Sequence, residues 1–245
     1  MNNPDNVKIP LIIHQIWSGV EEPLPQYFEI LSKTWKHDYP DWKYEFWDNE
    51  RMNKFIIENY PEYWERYNKF QYNIQRWDAI RYLILNQMGG MYVDFDYESI
   101  QPLDPLLLDK TCCFSQEPIS HYRNTGVKSF TFNNALILST PNHFFMKKII
   151  TEVFSEKNIS KRCENKAQTV FETTGPFVIN KVYKNLTKEE MSQVHLIPPE
   201  FVSPFDFIQS RLYRNNIINL DLESSLRKAY AVHYFLGAWI PSKET

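Results

Sequence analysis

The stretch Arg76–Asp104, RWDAIRYLILNQMGGMYVDFDYESIQPLD, decides how this chain folds. Ile74, Trp77, Ile80, Ile84 and Met88 recur at three- and four-residue steps, so the spacing predicts a helix over Phe70–Met88 with one apolar face. Gly89-Gly90 stops that helix, as a C-terminal glycine pair does. Met91–Val93 reads as a short apolar strand that delivers the chain to Asp94-Phe95-Asp96. Helix, glycine stop, buried strand and carboxylates is the order expected of an α/β sheet that gathers ligands at the C-terminal ends of its strands.

The segments on either side fit such a sheet. Ile9–Trp17, closed by Ser18-Gly19, reads as a first buried strand, and the alternating Trp42–Trp47 as a second. Between them Gln26–Lys36 has helical spacing at Phe28, Leu31 and Trp35. Asp48 or Asn49 caps a short helix over Arg51–Asn59. Further on, Thr111–Gln116, Ala135–Ser139 and His195–Ile197 are expected strands, and Phe144–Phe154 and Phe177–Leu186 expected helices. The aromatic segment Ala229–Ile240 is expected to pack down on the rest. No linker divides residues 1–245, so one domain is expected.

Composition narrows the classes. The chain has 245 residues, of which 16% are aromatic and 43% apolar, with only six glycines. That balance excludes collagen-like and disordered chains and argues for a packed core. Neither G-x-G-x-x-G nor G-x-x-x-x-G-K-[ST] occurs. A net charge of −3 carries none of the basic field of a nucleic-acid binder. Cys112, Cys113 and Cys163 form neither a disulfide framework nor a zinc signature, so a reducing compartment is expected. The polar start MNNPDNVKIP has no secretory signature. A cytoplasmic location is the expectation, with peripheral contact at the inner membrane face left open.

Asp94-x-Asp96 is the sharpest chemical feature. On an extended segment the two carboxylates share a face. They repel each other, and a hard divalent cation such as Mg²⁺ or Mn²⁺ relieves that repulsion while keeping positions open for phosphates. Two solvated acids at a strand end are the plainer alternative. Asp78 and Arg81, three apart on the helix, form either a surface ion pair worth a few tenths of a kcal/mol or a polar pair facing the site. His14 and Trp17 sit in or just after the first strand, where Trp17 stacks on a base or belongs to the core. Asn133-Asn134 offers amides to hydroxyls or simply turns the chain. Thr173-Thr174-Gly175-Pro176 reads as a turn whose N–H groups could face an anion. His233 and Trp239 flank Gly237 near the end.

Taken in order, IIHQIWSG at 12–19, the central Arg76–Asp104 stretch, NALILSTPNHFF at 134–145, TTGP at 173–176 and H-x(5)-W at 233–239 form a pattern. It resembles the DXD-containing sugar transferases of glycosyltransferase family 32. More remotely, it is similar to the catalytic domain of large clostridial glucosylating toxins. The resemblance implies a GT-A fold, a Rossmann-like α/β sandwich that binds a nucleotide-sugar and Mn²⁺ or Mg²⁺ and retains anomeric configuration. It implies that Asp96 ligates the metal, that Asp94 contacts ribose or donor sugar and helps the metal shell, and that His233 reaches the metal or diphosphate. It also implies donor contacts for Asp78, Arg81, Tyr92 and Asn134, with Gly175 close by, a base-facing role for Trp17 in the His14-containing strand motif, and a pocket role for Trp239. Ala238 stands where many relatives have Ser, so a hydroxyl contact is missing there.

The function so implied is transfer of a hexose from a nucleotide-sugar to a hydroxyl of a glycan or lipid-linked oligosaccharide, by same-face attack, as in capsule or other polysaccharide synthesis. A UDP-hexose donor is favoured and GDP-mannose is the alternative. An effector that glycosylates a protein, a D-x-D phosphatase and a non-catalytic sugar-binding module are the competing readings.

Overall fold

The computed structural model describes residues 8–121, 131–217, 219–237 and 239. Among these lie eight strands: β1 (Ile12–Ile16), β2 (Lys43–Trp47), β3 (Gly90–Val93), β4 (Tyr97–Ser99), β5 (Cys112–Gln116), β6 (Phe132–Ser139), β7 (His195–Ile197) and β8 (Ala231–His233). Six form a mixed sheet in the order β2-β1-β3-β6-β5-β7. β1 is parallel to β2 and to β3, β6 runs antiparallel to both β3 and β5, and β7 is parallel to β5. β4 and β8 make a separate antiparallel pair.

Alternation along the strands divides the core in two. Ile16, Tyr92, Cys112, Phe114 and Ile137 join one apolar cluster with the helices Asn73–Met88 and Phe144–Val153. Ile13, Met91, Val93, Cys113, Leu136 and Leu138 join another with Trp35 of the helix Gln26–Asp38. Trp35 also ties the small sheet to this face, its indole N–H donating to the Tyr97 carbonyl at 3.0 Å.

The central helix begins at Asn73 rather than Phe70, because the Gln75 side chain accepts the Tyr72 N–H at 3.0 Å and fixes the start there. Its apolar face is wider than expected. Every residue from Asp78 to Asn86 is buried, since the helix lies between the sheet and an outer layer of helices. It ends as expected. The Gly89 N–H bonds to the Leu85 carbonyl at 2.9 Å, and Gly89 and Gly90 take φ of 66° and 99°. A Cβ on Gly90 would stand 2.6 Å from the Ile12 carbonyl oxygen, and one on Gly89 2.7 Å from Pro141, so neither position admits a side chain.

Three expectations change. β4 was not foreseen: three residues with a polar centre carry no strand signal, and their partner β8 is distant in sequence. Asn133-Asn134 lies inside β6 and not in a turn before it. Asp94-Phe95-Asp96 is not extended but turns between β3 and β4, with the Tyr97 N–H on the Asp94 carbonyl at 3.2 Å. The end of the expected segment Ala229–Ile240 and Ala238 lie outside the described residues.

Candidate active site

The β3–β4 turn places its two carboxylates in different settings. Asp94, whose side chain is 31% exposed, accepts from the Tyr92 hydroxyl on Oδ1, with Arg81 Nη1 3.6 Å away. Asp96 is held more tightly. Its Oδ2 accepts the Leu236 N–H at 2.9 Å and its Oδ1 lies 3.3 Å from His233 Nε2. Pairing of β4 with β8 sets His233 opposite Tyr97, on whose ring it stacks at 4.3 Å and 9°. The intervening Phe95 is buried among Phe28, Phe46 and the half-buried Trp17, whose ring centre is 6.3 Å from it.

Behind Asp94 sits a buried polar cluster. Asp78 Oδ1 accepts from Asn134 Nδ2 at 3.0 Å and from Arg81 Nη2 at 2.8 Å, while Oδ2 accepts from the Thr174 hydroxyl at 2.9 Å. Arg81 Nη1 donates to the Asn134 carbonyl at 2.7 Å, and the guanidinium carbon lies 4.4 Å over the Tyr92 ring. Arg81 Nε, fully buried, has no hydrogen-bond partner among the described residues. Held by Asp78, the Asn134 carbonyl and the Tyr92 ring, the guanidinium presents its charge towards Asp94 from a fixed position.

Charge and burial set the protonation of the group. Burial, reinforced by Asp96 and opposed by Arg81, raises the Asp94 carboxyl to about 6. Burial acts on Asp96 in the same sense, but attraction to His233 and hydrogen bonds from His233 and the Leu236 amide hold it below the ordinary carboxylate range. Burial works against the His233 imidazolium, and Asp96 overrides it, raising His233 above its usual value. Burial raises Asp78 against the pull of Arg81, Thr174 and Asn134. These residues fit a divalent cation: two crowded carboxylates, one pushed up by burial and by its neighbour, and an Asp94 Oδ2 that forms no hydrogen bond among the described residues.

Asp78, Arg81, Tyr92, Asp94 and Asn134 are thus in one bonded cluster, and Asp96 and His233 in a second on the same turn. Among the described residues, three expected ones make no hydrogen bond to either cluster. His14 is fully buried, its Nε2 2.9 Å from the Gly89 carbonyl and its Nδ1 accepting the Trp47 indole N–H at 3.1 Å, so it braces the glycine turn and has no nitrogen left for a donor. The Gly175 N–H is spent on the Val170 carbonyl at 2.9 Å, and the TTGP turn reaches the site through Thr174 instead. Trp239 packs edge-on against Phe171 at 5.7 Å, and its carbonyl accepts from Lys166.

Sequence reading missed Glu117, and it named Asn133 and the TTGP turn without the roles that the Asn133 amide and the Thr174 hydroxyl take. Asn133 Oδ1 accepts the Ala135 N–H at 2.7 Å, which turns Nδ2 towards Glu117 Oε2 at 2.5 Å and His233 Nδ1 at 3.4 Å. With Nδ1 facing an amide donor, His233 directs Nε2–H at Asp96. The Asn-Asn pair was the available signal, though its strand setting was not.

Residues 25–113 match the family model of the glycosyltransferase sugar-binding region containing a DXD motif. Over that stretch the chain carries the sugar-binding region of the DXD glycosyltransferase family. It is 31% identical over 198 residues to inositol phosphoceramide mannosyltransferase 1 of Schizosaccharomyces pombe, covering 78% of this chain and 56% of that one. It is 29% identical over 228 residues to the mannosyl phosphorylinositol ceramide synthase SUR1 of Saccharomyces cerevisiae, covering 92% and 55%. The chain therefore spans little more than half the length of these two relatives. An uncharacterized glycosyltransferase of Acanthamoeba polyphaga mimivirus is 27% identical, with 95% of this chain and 84% of that one covered. Among solved structures the PaToxG glycosyltransferase superposes with a TM-score of 0.51 at 17% identity, covering 96% of this chain and 82% of that chain. The ligand-free glycosyltransferase domain of the YGT toxin also reaches 0.51, at 11% identity, covering 91% and 90%. This likeness is one of fold, and the fold is the expected GT-A arrangement.

Proposed function

We propose that the chain is a metal-dependent glycosyltransferase that moves a hexose from a nucleotide-sugar to a hydroxyl on a glycan or lipid headgroup. The reading rests on one observation above all: the two unlike carboxylates of the β3–β4 turn, backed on one side by Arg81 and on the other by His233. A divalent cation held by Asp94 and Asp96 would supply positive charge beside the diphosphate as the glycosidic C1–O bond breaks. Arg81 adds fixed charge from a buried, preorganised position. Asp78, with both oxygens occupied, acts on Arg81 by orienting it. His233 points an N–H at Asp96 and keeps that carboxylate ionised. Trp17 offers an aromatic surface beside Phe95 suited to a nucleobase.

The yeast relatives are named as mannosyltransferases or as a mannosyl lipid synthase. We therefore favour a nucleotide-activated mannose, GDP-mannose in the first instance, over the UDP-hexose favoured by the family resemblance. By the same argument a lipid headgroup hydroxyl is the favoured acceptor, with a capsule-type or other polysaccharide second. Retention of configuration is part of the proposal. Incubation with GDP-mannose, UDP-glucose and UDP-galactose, with Mn²⁺ or EDTA, and analysis of the product anomer tests donor, metal and stereochemistry together. Metal-independent turnover would sink the cation's role, and an inverted product the same-face attack.

A further inference from the structure

The limb formed by the helices Phe207–Arg214 and Leu220–Leu226 has a surface that the site does not account for. Phe207 is 56% exposed, Ile208 71%, Ile217 53% and Leu220 82%, so four large apolar side chains stand in solvent within one short segment. Phe207, Arg211 and Arg214 fall at four- and three-residue steps and so share a helix face, with Ile208 beside them. Both arginines are exposed. Residues 207–228 carry Arg211, Arg214, Arg227 and Lys228 against Asp221 and Glu223, a net charge of +2 on a chain whose total is −3. Isolated surface apolar residues need no explanation; a basic apolar patch on an acidic protein does.

The limb is anchored beside the site. The Ser210 hydroxyl donates to the Tyr234 carbonyl at 2.6 Å, and the Tyr234 N–H donates to the Asp96 carbonyl at 2.9 Å. Phe205, Leu222, Val232 and Tyr234 form a small core of their own beneath it. Whatever binds the limb is therefore held near the mouth of the β3–β4 turn.

We propose that this limb is a membrane-docking surface, with Phe207, Ile208, Ile217 and Leu220 entering the headgroup layer of an anionic bilayer and Arg211 and Arg214 meeting its phosphates. The charge sign selects an anionic lipid surface. The mixture of apolar and cationic side chains suits an interface, where apolar groups sink and arginines stay at phosphate level. The inference stands on the surface itself and does not depend on which sugar is transferred.

Vesicle flotation tests it, using phosphatidylcholine vesicles with and without phosphatidylserine. The intact chain floats with the anionic vesicles and much less with the neutral ones, and added salt weakens the association. Arg211→Glu and Arg214→Glu each lower the partition coefficient about fivefold or more. Phe207→Asp with Ile208→Asp lowers it about tenfold or more, while Ile57→Asp, on an exposed apolar side chain of another helix, leaves it unchanged. An unchanged melting temperature in each variant excludes misfolding. Absence of vesicle binding by the intact chain overturns the proposal. So does concentration-dependent dimerisation abolished by the Phe207 and Ile208 changes, which makes the patch a protein interface.

Discussion

Arg81 Nη2 lies 2.8 Å from Asp78 Oδ1, and both side chains are almost wholly buried. The pair is three residues apart on the central helix, a spacing that on a surface helix is worth only a few tenths of a kcal/mol. Here it sits between the sheet and the outer helices, and removing one partner strands a buried charge. Asp78→Ala should destabilise the fold by about 3–5 kcal/mol in urea unfolding. The double replacement Asp78→Leu with Arg81→Met should cost less than the two single changes summed. Additive losses would show that the two side chains do not act as a unit.

The glycine stop is a second place where one atom decides. Gly90→Ala sets a Cβ against the Ile12 carbonyl at positive φ, and Gly89→Ala sets one against Pro141 and the Ser139 carbonyl. Each should cost more than ~1 kcal/mol, because strain and clash both act in the native state. Comparable melting temperatures for Gly90→Ala and the parent would refute the tight approach of β3 to β1.

His14 makes stability depend on pH. Burial lowers its pKa to about 4 from an ordinary 6.5, despite the Gly89 carbonyl's opposing effect. The folded state therefore disfavours the charged form. The stabilisation is fully present above the unfolded pKa and is lost as pH falls from about 6.5 towards 4. The loss is on the order of 3 kcal/mol. An NMR titration of the His14 ring should turn over near pH 4, and a midpoint near 6.5 would contradict the burial account.

Trp17 can be separated from the metal cluster. It is half-buried beside Phe95, and its indole N–H is committed to the Glu22 carbonyl at 3.0 Å, leaving ring surface as its contribution. Trp17→Ala should weaken nucleotide binding by about 1–3 kcal/mol, the worth of one stacked base. Calorimetry with nucleotide and Mn²⁺ reads this directly. Unchanged affinity would assign Trp17 to packing.

The β-α order around Arg76–Asp104 was legible because local chemistry writes it: periodic apolar residues, a glycine pair at positive φ and a strand too short to be anything else. The carboxylate pair and His233 were legible as residues. Their setting was not, since it depends on β4 meeting β8 in a separate two-stranded sheet, a pairing with no local signal. His14 misled because a polar residue in a buried strand reads as functional until its two partners, Gly89 and Trp47, are known. Thr174 was hidden for the opposite reason. A threonine in a turn looks ordinary, and only folding brings its hydroxyl to Asp78.

The central claim is that the β3–β4 turn holds a cation that serves a nucleotide-sugar. The most direct measurement is transfer of mannose from GDP-mannose in Mn²⁺ by the parent chain and by Asp96→Asn, with melting temperatures recorded alongside. EDTA should abolish the parent turnover, and Asp96→Asn should lose at least ~100-fold with the fold intact. Metal-dependent turnover of Asp96→Asn at the parent rate would contradict that claim.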